Sequence, residues 1–378
     1  MKLIKRGRGI LSDNPNLEKV FTYENFPVFF GCTDQNKEED IHADMNWSID
    51  PLTGIIQLTD LVPLEILYQD SHVDGIGEVW TNYYDNLADY ISLREPKNVL
   101  ELGGGNGKLA SAVVEKSNTL EKWFVVDANP TCEETDKIKT LRQIIDDTFK
   151  FDVKIDMIVF SQLMEHIYDP EDFIYMLQKI MDMGAKLVFA YPDLKSSIEA
   201  NYTSALNFEH TMFFTDVHLD YLLEKYGFII HDKINYTKHS FFYDTEKASN
   251  EVLNNVLIPN KYEEFKALYS KFLDYHLHLI RDLNERIENY DKPIYLFGAH
   301  IFSQYLLSMG LNMEKIVTIL DNSKTKEGKR LYGTSFISES PKILKDVGEA
   351  AVILKAGFYD NEIKKDILEN INSQIIFW

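Results

Sequence analysis

Residues 98 to 107 read Asn-Val-Leu-Glu-Leu-Gly-Gly-Gly-Asn-Gly, and this stretch decides the fold. The apolar run predicts a buried strand, and the glycines after it predict a tight turn, because glycine accepts positive φ and lets the backbone approach a ligand closely. A second strand is predicted over Trp123-Phe-Val-Val-Asp127. An acidic residue at the end of that strand can accept both hydroxyls of a ribose. The two strands therefore predict a site for a nucleoside-bearing cofactor.

The carboxylate of Glu101 narrows the choice of cofactor. It stands two residues before the first glycine, where it would repel the phosphates of a dinucleotide. S-adenosylmethionine has no phosphate and carries a sulfonium and an ammonium. This motif and Asp127 resemble the first two motifs of a class I methyltransferase, and the alternative is any other Rossmann-like strand and turn. The expected cofactor contacts are Glu101, Gly103, Gly105, Asn106, Asp127, Ala128, Asp146, Asp147, Ser161, Gln162 and His166.

The segments that follow strengthen this interpretation. Asp146-Asp147-Thr148-Phe149 can border an adenine, and Asp156 to Ser161 predicts a further buried strand that ends where α/β sheets place their ligands. Glu165 and His166 come next. A Glu-His pair after this strand is typical of methyltransferases with many substrates, so we favour helix-start packing and cofactor contact for it, with catalysis as a secondary possibility.

Length and composition limit the classes of protein to which the chain can belong. With 378 residues the chain is long enough for two or three domains. No run approaches the ~20 apolar residues that a membrane span needs, and the basic N-terminus is followed by no apolar core, so we expect a cytoplasmic protein without a membrane partner. The net charge of −21 argues against nucleic-acid binding, and the only cysteines, Cys32 and Cys132, are expected to be free thiols. The oligomeric state is left open.

Periodicity predicts three domains, with the limits 1–91, 92–245 and 246–378. The first shows short strands such as 26–30 and 54–58, then a helical stretch from Pro63 to Ile91, which predicts a small α+β lid. The second alternates strands and helices and ends in two late strands at 228–235 and 238–244. This order predicts a doubly wound, Rossmann-like α/β sheet that closes in an antiparallel hairpin.

The third domain begins with an amphipathic helix from Lys261 to Tyr290. Its apolar stripe is Phe265, Leu268, Phe272, Tyr275, Leu279 and Leu283, which we expect to pack between domains. A new α/β pattern then starts with a strand at 293–297, the turn Gly298-Ala-His300 and a strand at 316–320 that ends in Asp321. Later strands are predicted at 351–354 and 374–377. This is a second Rossmann-like unit, so two nucleoside-containing ligands are expected.

At nearly full length the chain resembles the three-domain deoxysugar C-methyltransferases, which methylate a nucleotide-linked keto sugar with S-adenosylmethionine. The similarity rests on 54–68 (Gly-Ile-Ile-Gln-Leu-Thr-Asp-Leu-Val-Pro-Leu-Glu-Ile-Leu-Tyr), on Phe297-Gly-Ala-His300 and on 321–334. The last two are its more specific signals. In that family the C-terminal domain helps to hold the nucleotide-sugar, so the resemblance implies an anionic substrate.

One family feature is absent. Members carry an N-terminal zinc site of four cysteines, whereas this chain keeps Cys32, with Asp34, His42, Asp44 and Asp50 nearby. Cys32 and His42 can in principle contribute to a degenerate site. An apolar or hydrogen-bonded replacement is the preferred interpretation, so we expect no metal.

The resemblance also implies the catalytic residues. The family's base lies in a Glu-His pair that matches Glu209 and His210, and an imidazole can remove a proton α to a ketone at neutral pH. Either residue can be the base, or His210 only shapes the pocket. Tyr68 and His72 match substrate-facing aromatics of the lid, although His72 stands where a tyrosine is expected. Tyr191, Asn207, His300 and Lys329 are the candidate substrate contacts.

Three other functions are considered beside C-methylation of a nucleotide-linked keto-deoxysugar. The first is O- or N-methylation of a similar sugar, which needs no carbon acid. The second is a non-catalytic binding protein, against which Glu101, Asp127 and the pair Glu209-His210 argue. The third is nicotinamide-dependent redox chemistry, which Glu101 disfavours.

Overall fold

The computed structural model describes residues 1–68, 77–145 and 149–378. Its strands are β1 (Ile4–Lys5), β2 (Glu18–Pro27), β3 (Cys32–Thr33), β4 (His42–Ile49), β5 (Ile56–Leu58), β6 (Asp60–Leu61), β7 (Asn98–Leu102), β8 (Lys122–Asp127), β9 (Ile138–Arg142), β10 (Met157–Ser161), β11 (Lys186–Pro192), β12 (Met212–Phe213), β13 (Phe228–Tyr236), β14 (Ser240–Lys247), β15 (Ile294–Phe297), β16 (Ile316–Leu320), β17 (Arg330–Leu331), β18 (Ser338–Glu339), β19 (Ala350–Leu354) and β20 (Ile375–Phe377).

The α-helices of the described ranges are α1 (Leu64–Leu67), α2 (Glu78–Ser92), α3 (Lys108–Lys116), α4 (Pro170–Ile180), α5 (Leu194–Glu199), α6 (Asp216–Lys225), α7 (Tyr262–Asn289), α8 (Ile301–Ser308) and α9 (Asp360–Asp366), which continues as a π-helix over Ile367–Ile371. Short 3₁₀ turns cover Lys37–Glu39, Met164–His166, Pro341–Asp346 and Gly357–Tyr359. The expected helical stretch from Pro63 to Ile91 thus corresponds to α1 and α2.

The central sheet has seven strands in the order β13-β14-β11-β10-β7-β8-β9. Strands β7, β8, β9, β10 and β11 are parallel, whereas β14 pairs antiparallel with both β11 and β13. This confirms the class I methyltransferase-like α/β fold and its terminal hairpin. The strand β9 was not expected from the sequence.

Two layers of helices bury the central sheet. Val99 and Trp123 face helices α2 and α3, while Leu100 and Leu102 face the opposite core with α4 and α6. Because both faces are covered, these strands are near-continuous apolar runs. Helix α2 packs on this sheet, so its contacts lie with the second predicted domain, although the proposed limit at residue 91 assigns it to the first.

The N-terminal region forms a four-stranded sheet in the order β12-β5-β4-β2. Strand β12, at Met212–Phe213, comes from the predicted second domain and pairs antiparallel with β5. The expected strand at 26–30 was placed too late, since β2 ends at Pro27. A proline lacks the N–H that a central strand would need for its ladder. It is tolerated here because β2 is an edge strand.

The C-terminal region forms a second parallel sheet in the order β18-β16-β15-β19-β20. Helix α7 connects it to the rest of the molecule. The first half of α7 packs into the main core through Phe265, Tyr269 and Phe272, and its second half packs onto the C-terminal sheet through Ile280 and Leu283. The expected stripe is correct except at Tyr275, which is 43% exposed, while His276 beside it is buried.

A second connection joins the N-terminal region to the C-terminal sheet. Strand β3 pairs antiparallel with β17. The buried carboxylate of Asp40 binds the guanidinium of Arg330 with both oxygens, at 2.6 and 2.7 Å, and accepts the N–H of Gly333 at 2.8 Å. Among the helices described, none combines the length and the apolar composition of a membrane span.

Candidate functional site

The turn after β7 needs its glycines. Gly103, Gly105 and Gly107 have φ of 71°, 44° and 73°, in the left-handed region that side chains disfavour. A Cβ at Gly107 would lie 2.1 Å from the sulfur of Cys132. The motif thus bends the chain sharply at the carboxyl end of the central sheet, where α/β proteins bind ligands.

Asp127 is fixed against this turn. One carboxylate oxygen accepts the N–H of Gly105 at 3.0 Å, and the other accepts the N–H of Asn129 at 2.8 Å. No cation lies within ion-pair distance of Asp127 in the described part of the chain. Because each carboxylate oxygen has a second lone pair, Asp127 can still accept two ribose hydroxyls. This geometry fits the role expected for it.

Glu101 packs against the inner side of the turn, where a Cβ on Gly104 would lie 2.6 Å from the carboxyl carbon of Glu101. The cofactor contact expected for Glu101 stays a prediction. The side chain of Glu101 shares a sheet face with Val99 and Trp123, is 3% exposed, and accepts the indole N–H of Trp123 at 2.6 Å. Burial raises the pKa of Glu101 to about 7. Alternation along β7 explains this shared face, because successive side chains of a strand point to opposite faces. Glu101 supports the turn from its inner side.

The other expected cofactor contacts differ in their surroundings. Asn106 accepts the N–H of Lys108 at 2.9 Å, which caps α3 locally, and Ala128 lies half-buried after β8. Ser161 and Gln162 both bind the hydroxyl of Tyr83 on α2, at 2.7 and 3.1 Å. Asp146, Asp147 and the catalytic candidate His72 lie outside the described residues.

The two Glu-His pairs meet beside the cofactor turn. We call Tyr68, Glu165, His166, Glu209 and His210 the Glu-His cluster. The ring centroids of His166 and His210 are 4.7 Å apart, and Nδ1 of His166 lies 3.8 Å from a carboxylate oxygen of Glu209. The hydroxyl of Tyr68 is 3.1 Å from the same nitrogen. Residues from three segments of the sequence therefore form one polar cluster.

Tyr68 links this cluster to the predicted ribose site. Its backbone carbonyl accepts the side-chain N–H of Asn129 at 3.0 Å, and Asn129 in turn binds Asp127. Burial, and secondly the charge of Glu209, raise the pKa of the Tyr68 hydroxyl, which keeps it protonated at neutral pH. Asn129 was missed by the sequence analysis, although its place two residues after the acidic strand end is a usable signal.

Asn207 shapes the loop that carries the second pair. Its side-chain oxygen accepts the backbone N–H groups of Glu209 at 2.7 Å and His210 at 3.0 Å. This local bonding is typical of asparagine in turns. Asn207 is 3% exposed and positions the two residues of the pair. The substrate contact expected for it stays a prediction.

Glu165 is the most buried acid of the cluster. It is 2% exposed, one carboxylate oxygen finds no hydrogen-bond partner in the described part of the protein, and burial raises its pKa to about 8. Ligand atoms of Glu165, His166 and His210 lie within 4.8 Å of one another. A carboxylate and two imidazoles are a donor set that zinc accepts, but ligands of a tetrahedral zinc at ~2.0 to 2.2 Å would have to move closer together.

The remaining substrate candidates differ in their surroundings. Tyr191 is fully buried and donates its hydroxyl to the carbonyl of Phe214, so its polar group is used in the core. His300 begins α8, and burial lowers its pKa to about 3, which keeps it neutral. The ammonium of Lys329 pairs at the surface with Asp34 at 3.1 Å.

Hydrogen bonds hold the segment where the resembling family has zinc. Asp50 accepts from the side chains of Ser12, Asn14 and Thr53. Cys32 lies against the carbonyl of Ala299, and burial raises the pKa of its thiol to about 11, which disfavours the thiolate that zinc requires. The absence of a metal from this segment stays a prediction.

Comparison with known proteins identifies the central domain. Residues 76–233 match the family model described as "Methyltransferase domain". The match begins within the first predicted domain and includes α2. No curated protein sequence matches the chain.

Comparison with solved structures finds methyltransferases of low similarity. An O-methyltransferase family protein from Burkholderia thailandensis is 12% identical, with a TM-score of 0.39 over 46% of this chain and 57% of its own. Human N-acetylserotonin methyltransferase, solved with S-adenosylmethionine, is 16% identical, with a TM-score of 0.39 over 46% of this chain and 53% of its own. The chain thus spans little more than half the length of these structures.

The family match and the geometry of the turn agree. The strand order, the glycines with positive φ and the carboxylate of Asp127 are the features that a class I methyltransferase uses. Residues 76–233 therefore form a methyltransferase domain, which is the domain of an enzyme, and S-adenosylmethionine is the cofactor that its turn and Asp127 fit.

Proposed function

We propose that the protein methylates a carbon atom of a nucleotide-linked keto-deoxysugar, using S-adenosylmethionine, after a base has formed the enolate. The observation that carries this proposal is the Glu-His cluster beside the cofactor turn. A C-methylation needs a base at the α-carbon and a proton donor near the ketone oxygen, and the cluster offers both types of group.

The base is His210 or Glu209. Nδ1 of His210 lies 3.3 Å from the carbonyl of Ala205, so a proton on Nδ1 leaves the lone pair on Nε2, as general-base catalysis requires. Glu209 lies near His166 and can orient or replace the imidazole as base. Asn207 holds both residues in place through their backbone N–H groups.

Tyr68 and Glu165 donate hydrogen bonds to the enolate oxygen. Both have raised pKa values because they are buried, so both hold a proton at neutral pH. A protonated carboxyl in an apolar site is an effective hydrogen-bond donor to an enolate. When bound, S-adenosylmethionine supplies an electrophilic methyl group for the enolate carbon.

The substrate class rests on the resemblance and on the second sheet. The turn after β15 repeats the strand-turn-strand pattern of the cofactor turn, which supports a second nucleoside-containing ligand. His300 and Lys329 remain candidates for contacts with that ligand. O- or N-methylation of the same sugar is the competing function, because a basic cluster can also deprotonate a hydroxyl or an ammonium.

Solvent exchange tests the carbon-acid step directly. The protein would be incubated in deuterium oxide with a panel of nucleotide-linked 4-keto sugars and no methyl donor, and exchange at the α-carbon would be followed by NMR. We expect exchange with the wild-type protein and a loss of about 10²- to 10⁴-fold in the base variant, His210→Ala or Glu209→Gln. His231→Ala is a matched control, since His231 is exposed and pairs with Glu246.

The methylated product decides between the alternatives. Addition of S-adenosylmethionine should give a new carbon-bound methyl group. A product methylated on oxygen or nitrogen would replace the proposal with the competing function. Full activity in both single variants and in the double variant would remove the base role from Glu209 and His210.

A further inference from the structure

Arg6 joins the two Glu-His turns. One of its terminal nitrogens, Nη2, donates to the carbonyl of Tyr168 at 2.7 Å. The other, Nη1, lies 3.2 Å from the hydroxyl of Thr211 and 3.4 Å from the carbonyl of the same residue. Tyr168 follows the pair Glu165-His166 closely, and Thr211 directly follows His210. One planar guanidinium thus bridges both turns.

The side chain of Arg6 is partly buried and forms no ion pair with an acidic residue that the structure describes. Burial lowers its pKa to about 10, so it stays charged at neutral pH. A buried cation is costly unless hydrogen bonds replace its water. Here those bonds go to the two turns, and the ring of Tyr168 adds a cation-π contact at 5.6 Å.

The backbone that leads into Arg6 is anchored. Strand β1 pairs antiparallel with β6, the N–H of Arg6 binds the carbonyl of Thr59 at 2.8 Å, and Lys5 forms an ion pair with Asp60. The guanidinium therefore reaches the turns from a fixed position. A bridging fork of this kind cannot be reproduced by lysine, which carries a single compact charge.

We propose that Arg6 is a positioning residue that sets the distance between the two Glu-His pairs and so makes proton transfer efficient. The inference rests on the proposed function, because it assigns Arg6 to the base-forming step. It predicts an effect on turnover with little effect on cofactor binding, since Arg6 does not contact the cofactor turn or Asp127 in the structure described.

The test compares Arg6→Lys and Arg6→Met with the matched control Arg8→Met. Arg8 is exposed and pairs with Asp13, so its loss should leave activity unchanged. Each variant would be assayed for S-adenosylmethionine affinity by calorimetry, for α-proton exchange and for kcat and KM. For both Arg6 variants we expect affinity within about twofold of wild type, and a fall of about ten- to hundredfold in kcat and exchange, as a misplaced catalytic group causes.

Imidazole NMR separates positioning from general stabilisation. If Arg6 sets the geometry, the ring resonances of His166 and His210 shift in Arg6→Lys, while those of exposed His231 and His278 do not. Added guanidinium ion should restore part of the exchange rate in Arg6→Ala. Unchanged His166 and His210 resonances together with wild-type kcat in folded Arg6→Lys would overturn the proposal.

Two further measurements decide the proposal if Arg6→Met does not fold or if the wild-type protein exchanges no proton. If Arg6→Met does not fold, Thr211→Val removes one acceptor without changing the volume, and we expect a loss of about two- to fivefold in kcat from it. If wild-type protein exchanges no proton of any sugar, the proposed function fails. Shifted His166 and His210 resonances in Arg6→Lys would then still support the positioning role, and unshifted ones would refute it.

Discussion

The turn after β7 and the turn after β15 are built alike, although they belong to different sheets. In the first, the N–H of Gly103 binds the carbonyl of Val126 at 2.7 Å, and in the second the N–H of Gly298 binds that of Leu320 at 2.8 Å. In each case an aspartate accepts a turn N–H, Asp127 at the end of β8 and Asp321 directly after β16. Gly105 donates to Asp127 at 3.0 Å, and Ala299 donates to Asp321 at 2.9 Å.

The difference lies in charge. The ammonium of Lys326 binds a carboxylate oxygen of Asp321 at 2.9 Å, with both side chains largely buried, whereas Asp127 has no such partner among the residues described. In the strands before the turns, Glu101 in β7 corresponds to Leu296 in β15. The same backbone pattern therefore offers a charged acceptor in one domain and a neutralised one in the other. Local geometry alone does not define the ligand.

The largest expected effect comes from closing the first turn. Gly107→Ala places a Cβ against Cys132 and adds left-handed strain, which together cost roughly 2 to 5 kcal/mol, so we expect cofactor binding to fall below detection by calorimetry. Gly298→Ala meets its nearest atom at 3.8 Å and should cost only the strain. Partial recovery is expected in Gly107→Ala with Cys132→Ala. Equal losses of cofactor affinity in Gly107→Ala and Gly298→Ala would contradict the assignment of the cofactor to the first turn.

A smaller effect is expected from the two aspartates. Asp127→Asn should weaken S-adenosylmethionine about ten- to a hundredfold, because charge-assisted hydrogen bonds contribute ~1.5 to 3 kcal/mol each. Asp321→Asn, the matched variant of the second turn, should leave that affinity unchanged. Calorimetry with both proteins measures the contrast. Unchanged affinity in Asp127→Asn would remove Asp127 from the cofactor site.

Much of this turn was predictable from sequence. The glycines, the apolar runs at 98–102 and 123–127 and the final aspartate follow from local rules, and the structure has the strands at those places. The burial of Glu101 was not predicted, because it depends on the indole of Trp123, which comes from the neighbouring strand. Strand β9 was missed since Ile-Lys-Thr-Leu-Arg is a short edge strand with little apolar pattern.

The candidate catalytic site was predictable only in part. Glu209 and His210 came from a resemblance, and His166 from its place after a strand. That the two pairs meet is a long-range consequence of folding, and so is the bridge from Arg6, which lies far away in sequence. No local pattern marks an arginine as partly buried between two turns. The signal for Asn207 was present, since asparagine commonly shapes turns.

The pH dependence of the free energy of unfolding tests whether Glu101, which takes the place of Leu296 in the second domain, is a buried titratable group. The pKa of Glu101 is raised to about 7 in the folded state, so the folded protein holds this proton more tightly than the unfolded chain does. The protonated carboxyl of Glu101 contributes fully to stability below the ordinary pKa of 4.5. This contribution to the free energy of unfolding is lost as the pH rises toward 7, by at most about 1.4 kcal/mol per pH unit. Urea unfolding of Glu101→Gln from pH 4.5 to 8 should show a flatter profile than wild type. The same pH dependence of unfolding in Glu101→Gln and wild type would contradict a raised pKa for Glu101.

The smallest effect is expected at Lys329, in the segment between Asp321 and β17. Its pair with Asp34 is exposed, so Lys329→Ala should change the free energy of unfolding by less than about 1 kcal/mol. Titration with a nucleotide-linked sugar provides the second readout. A loss of affinity there would assign Lys329 to the substrate site, and unchanged affinity would leave it as a surface residue.

The pairing of Asp40 with Arg330 has a consequence for synthesis. The two residues are 290 positions apart, and strand β3 likewise finds its partner only in β17. At roughly 5 to 20 residues per second, the ribosome delivers Arg330 about 15 to 60 seconds after Asp40. During that interval the carboxylate that becomes buried must stay hydrated, so the methyltransferase domain between the two segments has time to fold first. The N-terminal segment is thus synthesised early, but it completes its contacts only after the C-terminal segment has been made.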